Sequence, residues 1–259
     1  MVTVSFKRAA ATFALGAIAV SALATETQEQ APRVEPDATR ILKRMTDYLG
    51  SLQRFSLDTE NTLEGVLVSG QKIQYDFTTS VVIRRPNKLR AERTGDLVNQ
   101  LLVYDGENLT IYDRESNYYA IAKAPDNLDD MLHFARDTLD LVPPSGDLVY
   151  TNAFDLLTAS LTSGVVVGKS MVGGVRCDHL AFRGPVVDWQ IWIADGDEPL
   201  PHKYVLTTRD DPSQPEYIIQ LSNWNVTPRS NDALFDFSAP KDAKRTEFLR
   251  MNSGQKPGR

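Results

Sequence analysis

An alternation of apolar and polar residues with a period of two most constrains the fold of this 259-residue chain. In the segment KIQYDFTTSVVI, Ile73, Tyr75, Phe77, Val81 and Ile83 fall on one face of an extended strand, and polar residues fall on the other. Similar short segments recur as far as residue 226, separated by Gly, Pro and Asp-Gly turns. The pattern predicts about eleven strands in one antiparallel series.

Three segments interrupt the strands with helical periodicity. They span residues 37–52, 126–141 and 152–164, with Asp37 and Asp126 at two of the starts and Gly164 at the last end. A series of about eleven antiparallel strands twists too strongly to lie flat. We therefore predict a mainly β protein with some α: a strongly curved antiparallel sheet, or half-open β-barrel, with helices plugging its concave side.

The first residues have the pattern of an export signal. Lys7 and Arg8 precede an apolar run over residues 9–24 that ends in Ala-Leu-Ala. The sequence predicts a signal peptide (1–24), a polar linker (25–36), one domain (37–243) and a disordered tail (244–259). No later segment is long and apolar enough to span a bilayer, so the mature form is predicted to lack a transmembrane segment.

Composition excludes some classes of function. The formal net charge of −6 disfavours nucleic acid as a partner. Glycine-rich phosphate motifs are absent, and the sequence predicts no cofactor.

A cysteine and two histidines are the candidates for chemistry. Cys177 and His179 share one face of a strand, about 6–7 Å apart, and His202 lies two strands away from Cys177, about 9–10 Å by interstrand spacing. That separation is too large for a shared metal or a hydrogen bond, so we predict no metal ligand and no catalytic residue. A hydrolase that depends on Cys177, His179 and His202 remains an alternative.

A basic cluster stands out in an otherwise acidic chain. The segment RRPNKLRAER contains Arg84, Arg85, Lys88, Arg90 and Arg93. One interpretation is a site for an anionic head group or an acidic partner protein. The other is a solvated strand edge that discourages aggregation of the sheet.

Four segments together resemble a known superfamily. LLVYDGENLTIYDRESNYYAIA resembles the Asp-Gly hairpins of the LolA/LolB-like bacterial periplasmic lipoprotein carriers, and RRPNKLRAE resembles the step before those hairpins. WIADGDEPLPHKYVL and ALFDFSAPKDA resemble a later hairpin and the ending, in the same order. The resemblance is greatest to a poorly characterised branch of predicted periplasmic proteins.

The resemblance implies a periplasmic half-barrel whose concave side holds acyl chains. The ligand is then a lipid or an acylated protein, and the protein a carrier or a sensor. The cavity wall predicted from alternation consists of Ile73, Tyr75, Phe77, Trp189, Ile191, Tyr204 and Leu206, with Met131 and Leu132 contributed by a helical lid. The alternative is a filled core in an envelope regulatory protein that binds another envelope protein through its outer surface.

Overall fold

A computed structural model describes residues 34–141 and 145–248. The predicted signal peptide lies outside the described residues, as does the linker up to residue 33. The helices are α1 (Pro36–Ser51), α2 (Leu128–Leu139) and α3 (Ala153–Thr158). The strands are β1 (Arg54–Val66), β2 (Lys72–Arg84), β3 (Lys88–Gly95), β4 (Val98–Tyr104), β5 (Asn108–Asp113), β6 (Tyr118–Lys123), β7 (Ser163–Val172), β8 (Val175–Arg183), β9 (Val187–Ala194), β10 (Pro201–Thr208), β11 (Glu216–Asn225) and β12 (Lys244–Thr246).

All twelve of these strands form one sheet. The order is β12-β6-β5-β4-β3-β2-β1-β11-β10-β9-β8-β7, and every neighbouring pair is antiparallel except β12 and β6. β12 and β7 are the two edges, so the curved sheet is not closed into a barrel. The predicted fold class is confirmed. The strand beyond the expected eleven is β12, which lies in a segment predicted to be a disordered tail.

The strand registers follow from the turns. Asp105 accepts hydrogen bonds from the backbone N–H groups of Glu107 and Asn108, which fixes the tight turn between β4 and β5. Gly106 adopts a φ of 93° in that turn, a conformation that favours glycine. In the later hairpins Cys177 pairs with Ala194, as the sequence predicts.

The main core lies between the concave face of the sheet and the helices. Leu42, Met45 and Leu49 project from α1 at helical spacing and are fully buried. They belong to one cluster with Ile83 and Ile191 of the sheet. Burial of each such side chain contributes on the order of 1.5–3 kcal/mol, so α1 is bound firmly to the sheet.

The helix boundaries differ from the predicted ones. α1 begins at Pro36, and Val34 already forms a bridge with Gly164, so these residues belong to the fold rather than to the linker. α2 begins after Asn127, whose side chain accepts from the N–H of Asp130. α3 ends at Thr158 instead of near Gly164, because the chain enters β7 at Ser163.

The segment after β11 covers part of the outer, convex face. Its 3-10 helix, Asp232–Phe235, places the fully buried Phe235 against Leu101 and Val103 of β4. β12 then pairs with β6 at the edge of the sheet. This C-terminal strap (residues 226–246) forms a second, smaller core on the outside of the sheet.

Candidate functional site

An open cavity lies between the concave face and α3. Its volume is about 580 Å³, within the range of roughly 300–1,000 Å³ that is typical of small-molecule sites. Strands β1, β9, β10 and β11 form one wall. The helical side and the turn before β9 form the other, and the lining side chains that are large and apolar are Leu63, Leu156, Leu157, Leu161, Val186, Val187, Trp189, Tyr204, Leu206 and Tyr217.

One row of residues across neighbouring strands builds the sheet wall. Trp189 pairs with Leu206, Leu206 with Tyr217, and Tyr217 with Leu63. Directly paired residues point to the same face of a sheet, so the four side chains form a continuous apolar strip. The ring of Phe182 stacks on Trp189, with the ring centroids 4.2 Å apart, and extends the strip into β8.

The nine predicted cavity residues separate into three groups. Trp189, Tyr204 and Leu206 line the cavity. Ile191, Met131 and Leu132 are buried in the main core, and Phe77 is buried beside Tyr217, 6.1 Å between ring centroids. Ile73 and Tyr75 are half-buried towards the beginning of β2. The sequence thus predicted which side chains of each strand face the concave side. It did not predict which part of each strand borders the cavity.

The cavity also has polar lining residues. The Glu64 carboxylate accepts from Lys72 Nζ at 2.9 Å and from the Glu216 N–H at 3.1 Å, and the Lys72 hydrogen bond is the main cause of its lowered pKa. Thr207 Oγ1 donates to Glu216. Asp147 makes no side-chain hydrogen bond to the described residues, and burial raises its pKa. Two of the three lining carboxylates therefore already have partners.

A buried polar network lies next to the apolar strip. The Asn61 side-chain nitrogen donates to Thr59 Oγ1 at 2.8 Å and to the Phe77 carbonyl at 3.2 Å, and it lies 3.4 Å from Thr79 Oγ1. The Asn61 oxygen accepts from the Tyr217 hydroxyl at 2.9 Å. Tyr217 thus belongs both to the network and to the cavity wall. The sequence analysis did not identify this network, which breaks the apolar pattern of β1.

Four of the five residues of the predicted basic cluster are already paired. Arg84 forms an ion pair with Asp232 of the C-terminal strap, and Arg90 donates to Glu92 at 2.7 Å. Arg85 donates to the Val149 carbonyl and Lys88 to the Asp105 carbonyl. β2 and β3 are interior strands, so the interpretation of the cluster as a protected sheet edge is wrong.

Arg93 differs from the other four. It pairs with Thr79 and so faces the concave side, where its guanidinium lies 4.8 Å from the centroid of the Phe77 ring. It makes no hydrogen bond or ion pair with another described residue. Burial is the main cause of the lowered pKa of Arg93.

Comparison with protein families identifies the chain. Residues 38–249 match the model of the family described as "Predicted periplasmic protein (DUF2092)". The chain belongs to this family. The resemblance to a branch of predicted periplasmic proteins is confirmed, and with it the periplasmic location. No similar protein was found among curated protein sequences.

Solved structures with low sequence identity resemble the DUF2092 chain. An uncharacterized conserved protein from Thermus thermophilus is 12% identical, with 82% of this chain and 99% of that chain covered and a TM-score of 0.48. LprF from Mycobacterium bovis is 14% identical, with 83% and 100% covered and a TM-score of 0.47. The LolA superfamily protein NE2245 from Nitrosomonas europaea is 12% identical, with 77% and 97% covered and a TM-score of 0.38.

Cys177 and the two histidines of the alternative hydrolase lie apart from the cavity. The Cys177 thiol is buried in an outer-face cluster with Trp192 and Val205, and burial raises its pKa to about 11. His179 stacks on Trp192 at 4.0 Å and bonds Gln190, while His202 lies on β10, beyond β9. A buried, protonated thiol without a basic partner is a poor nucleophile.

The described residues contain neither a candidate metal site nor a membrane-spanning helix. Within residues 34–141 and 145–248, no three His, Cys, Asp or Glu side chains are grouped so that they could hold a metal ion. In that same part of the DUF2092 chain, no helix has the length and apolar character needed to cross a membrane.

Proposed function

We propose that this periplasmic protein binds a lipid or an acylated protein, with the acyl chain in the cavity between the concave face and α3. The proposal is based on the cavity, which has an open volume of about 580 Å³. The apolar strip of Leu63, Trp189, Leu206 and Tyr217 forms part of its wall. A filled core would leave no such space, since protein interiors are packed as tightly as organic crystals.

The energetics favour an acyl chain as the occupant. Each CH₂ group that leaves water contributes about 0.8 kcal/mol, so one chain of ordinary length contributes several kcal/mol after its ordering cost. The described residues offer this cavity no activated nucleophile. The protein therefore acts as a carrier or a sensor, and it releases the ligand chemically unchanged.

A cavity-filling substitution tests the proposal. Leu161→Trp places a large ring into the space beside α3, while Leu97→Trp adds the same ring at an exposed turn, where Leu97 is 59% exposed. We expect the wild-type protein and Leu97→Trp to bind a fluorescent fatty acid with equal affinity. Leu161→Trp is expected to weaken this binding at least tenfold without loss of the folded state. Equal binding by all three proteins would place the ligand elsewhere and contradict the proposal.

A further inference from the structure

A buried polar network on the concave face adjoins the wall of the cavity. Thr59 and Asn61 are buried, although the neighbouring positions on the same face are apolar. Buried polar side chains are costly unless they are satisfied, and they specify a binding geometry when they border a cavity. Tyr217 connects this network directly with the cavity wall.

Arg93 supplies a charge at the edge of this network. Its guanidinium lies over Phe77, and Phe77 in turn lies 6.1 Å from Tyr217, measured between ring centroids. A half-buried guanidinium has lost much of its water, and contact with one aromatic face replaces only part of that solvation. Among the described residues no carboxylate lies within ion-pair distance of it, so an anion would be stabilised there.

We propose that Arg93 binds the anionic head group, a phosphate or a carboxylate, of an amphiphile whose acyl chain occupies the cavity. The inference rests on the proposed function and adds the charge of the ligand. Arginine suits this role because its planar fork of donors matches the oxygens of a phosphate or carboxylate. The ring of Phe77 would hold the fork in place beside Tyr217.

The carboxylates around the cavity are compatible with this assignment. Glu64 is neutralised by Lys72, and Glu216 accepts from Thr207. Asp147 lies on the opposite, helical side, where burial raises its pKa. A cationic head group would instead be attracted to Asp147. The charge of the preferred head group therefore distinguishes a site at Arg93 from a site at Asp147.

Calorimetric titration with amphiphiles of one chain length tests the assignment. The probes are dodecyl phosphate, dodecyl maltoside and dodecyltrimethylammonium, each below its critical micelle concentration, and inorganic phosphate. We expect the wild-type protein to bind dodecyl phosphate at least tenfold more tightly than dodecyl maltoside. Arg93→Gln should lose that preference and bind dodecyl maltoside as the wild type does. Arg84→Gln is the matched control, because Arg84 lies on the outer face, and it should keep the preference.

Other outcomes would overturn the assignment in distinguishable ways. An unchanged preference in Arg93→Gln, or tightest binding of the cationic probe, would remove Arg93 from the head-group site. Inorganic phosphate binding as tightly as dodecyl phosphate would indicate a free-anion site without a role for the acyl chain. Failure of the wild type to bind any dodecyl probe would contradict the proposed function itself. If Arg93→Gln does not fold, Arg93→Lys takes its place in the titration. Lysine keeps the positive charge, so Arg93→Lys should keep a reduced preference for dodecyl phosphate.

Discussion

Single residues show how the two faces of the sheet differ. On the outer face, Cys177, Trp192 and Val205 form a small cluster, and Lys203 lies over the Trp192 ring at 4.9 Å. On the concave face, Tyr217 connects the polar network with the cavity wall, and Arg93 lies over Phe77. The thiol of Cys177 therefore lies on the face of the sheet opposite the cavity.

The buried thiol leads to a prediction about reactivity. Because burial raises the pKa of Cys177 to about 11, the thiolate is scarce at neutral pH and is shielded from reagents. We expect negligible reaction of the native protein with a disulfide reagent at pH 8 over minutes, and one equivalent of reaction in guanidinium chloride. Rapid stoichiometric labelling of the native protein would show that Cys177 is exposed.

Two histidines make stability depend on pH. Burial lowers the pKa of His179 and of His202 below the value of 6.5 that an exposed histidine has. Below pH 6.5 the unfolded chain therefore binds more protons than the native protein, and the free energy of unfolding falls as the pH falls. The slope is at most about 1.4 kcal/mol per pH unit for each histidine.

Urea unfolding at pH 7.5 and 6.0 measures this effect above the range where exposed carboxylates titrate. The stability should be lower at pH 6.0. The double variant His179→Gln and His202→Gln should show a smaller difference between the two values. An equal pH dependence in the double variant would assign the effect to other groups.

Among the elements, the C-terminal strap crosses the outer face of the sheet from β2 to β6. Arg84 pairs with Asp232 and also lies over the Phe235 ring at 5.2 Å, while Arg90 donates to the Leu234 carbonyl. Arg84 and Arg90 of the basic cluster thus fasten the strap to β2 and β3. The sequence pattern of the cluster did not indicate these two contacts, because Asp232 and Leu234 lie more than a hundred positions later in the chain.

Phe235 should be the main anchor of the strap. It is fully buried, so Phe235→Ala leaves a cavity in the outer cluster and should lower the free energy of unfolding by about 3–5 kcal/mol. Leu97→Ala, at an exposed position, should change it by less than about 0.5 kcal/mol. Chemical denaturation of both variants checks the contrast. A cost for Phe235→Ala as small as that for Leu97→Ala would mean that the strap is not bound as described.

At the scale of the whole molecule, alternation and turn signals predicted the architecture well. Trp189, Ile191 and Ile193 share a face opposite Trp192, and Cys177 pairs with Ala194, because a tight turn fixes the register of a hairpin. The curved sheet followed from the number of strands. β12 was missed because a three-residue strand has no pattern of its own.

The extent of the cavity was harder to predict. Alternation shows that Tyr75 and Trp189 face the same side, but it does not show where the helices stop covering that side. α3 ends early, at Thr158, and the open volume depends on this end and on the turn before β9. Asn61 and Arg93 approach the same residue, Phe77, only through the pairing of β1, β2 and β3.

Native mass spectrometry of the protein purified from the periplasm tests whether the cavity holds a lipid. We expect a stoichiometric adduct that extraction with organic solvent removes and that contains at least one acyl chain. A bare mass that stays unchanged after incubation with phospholipids and with an acylated peptide would contradict lipid binding. The cavity would then have no lipid-binding role, and the outer surface would be the place to look for a partner.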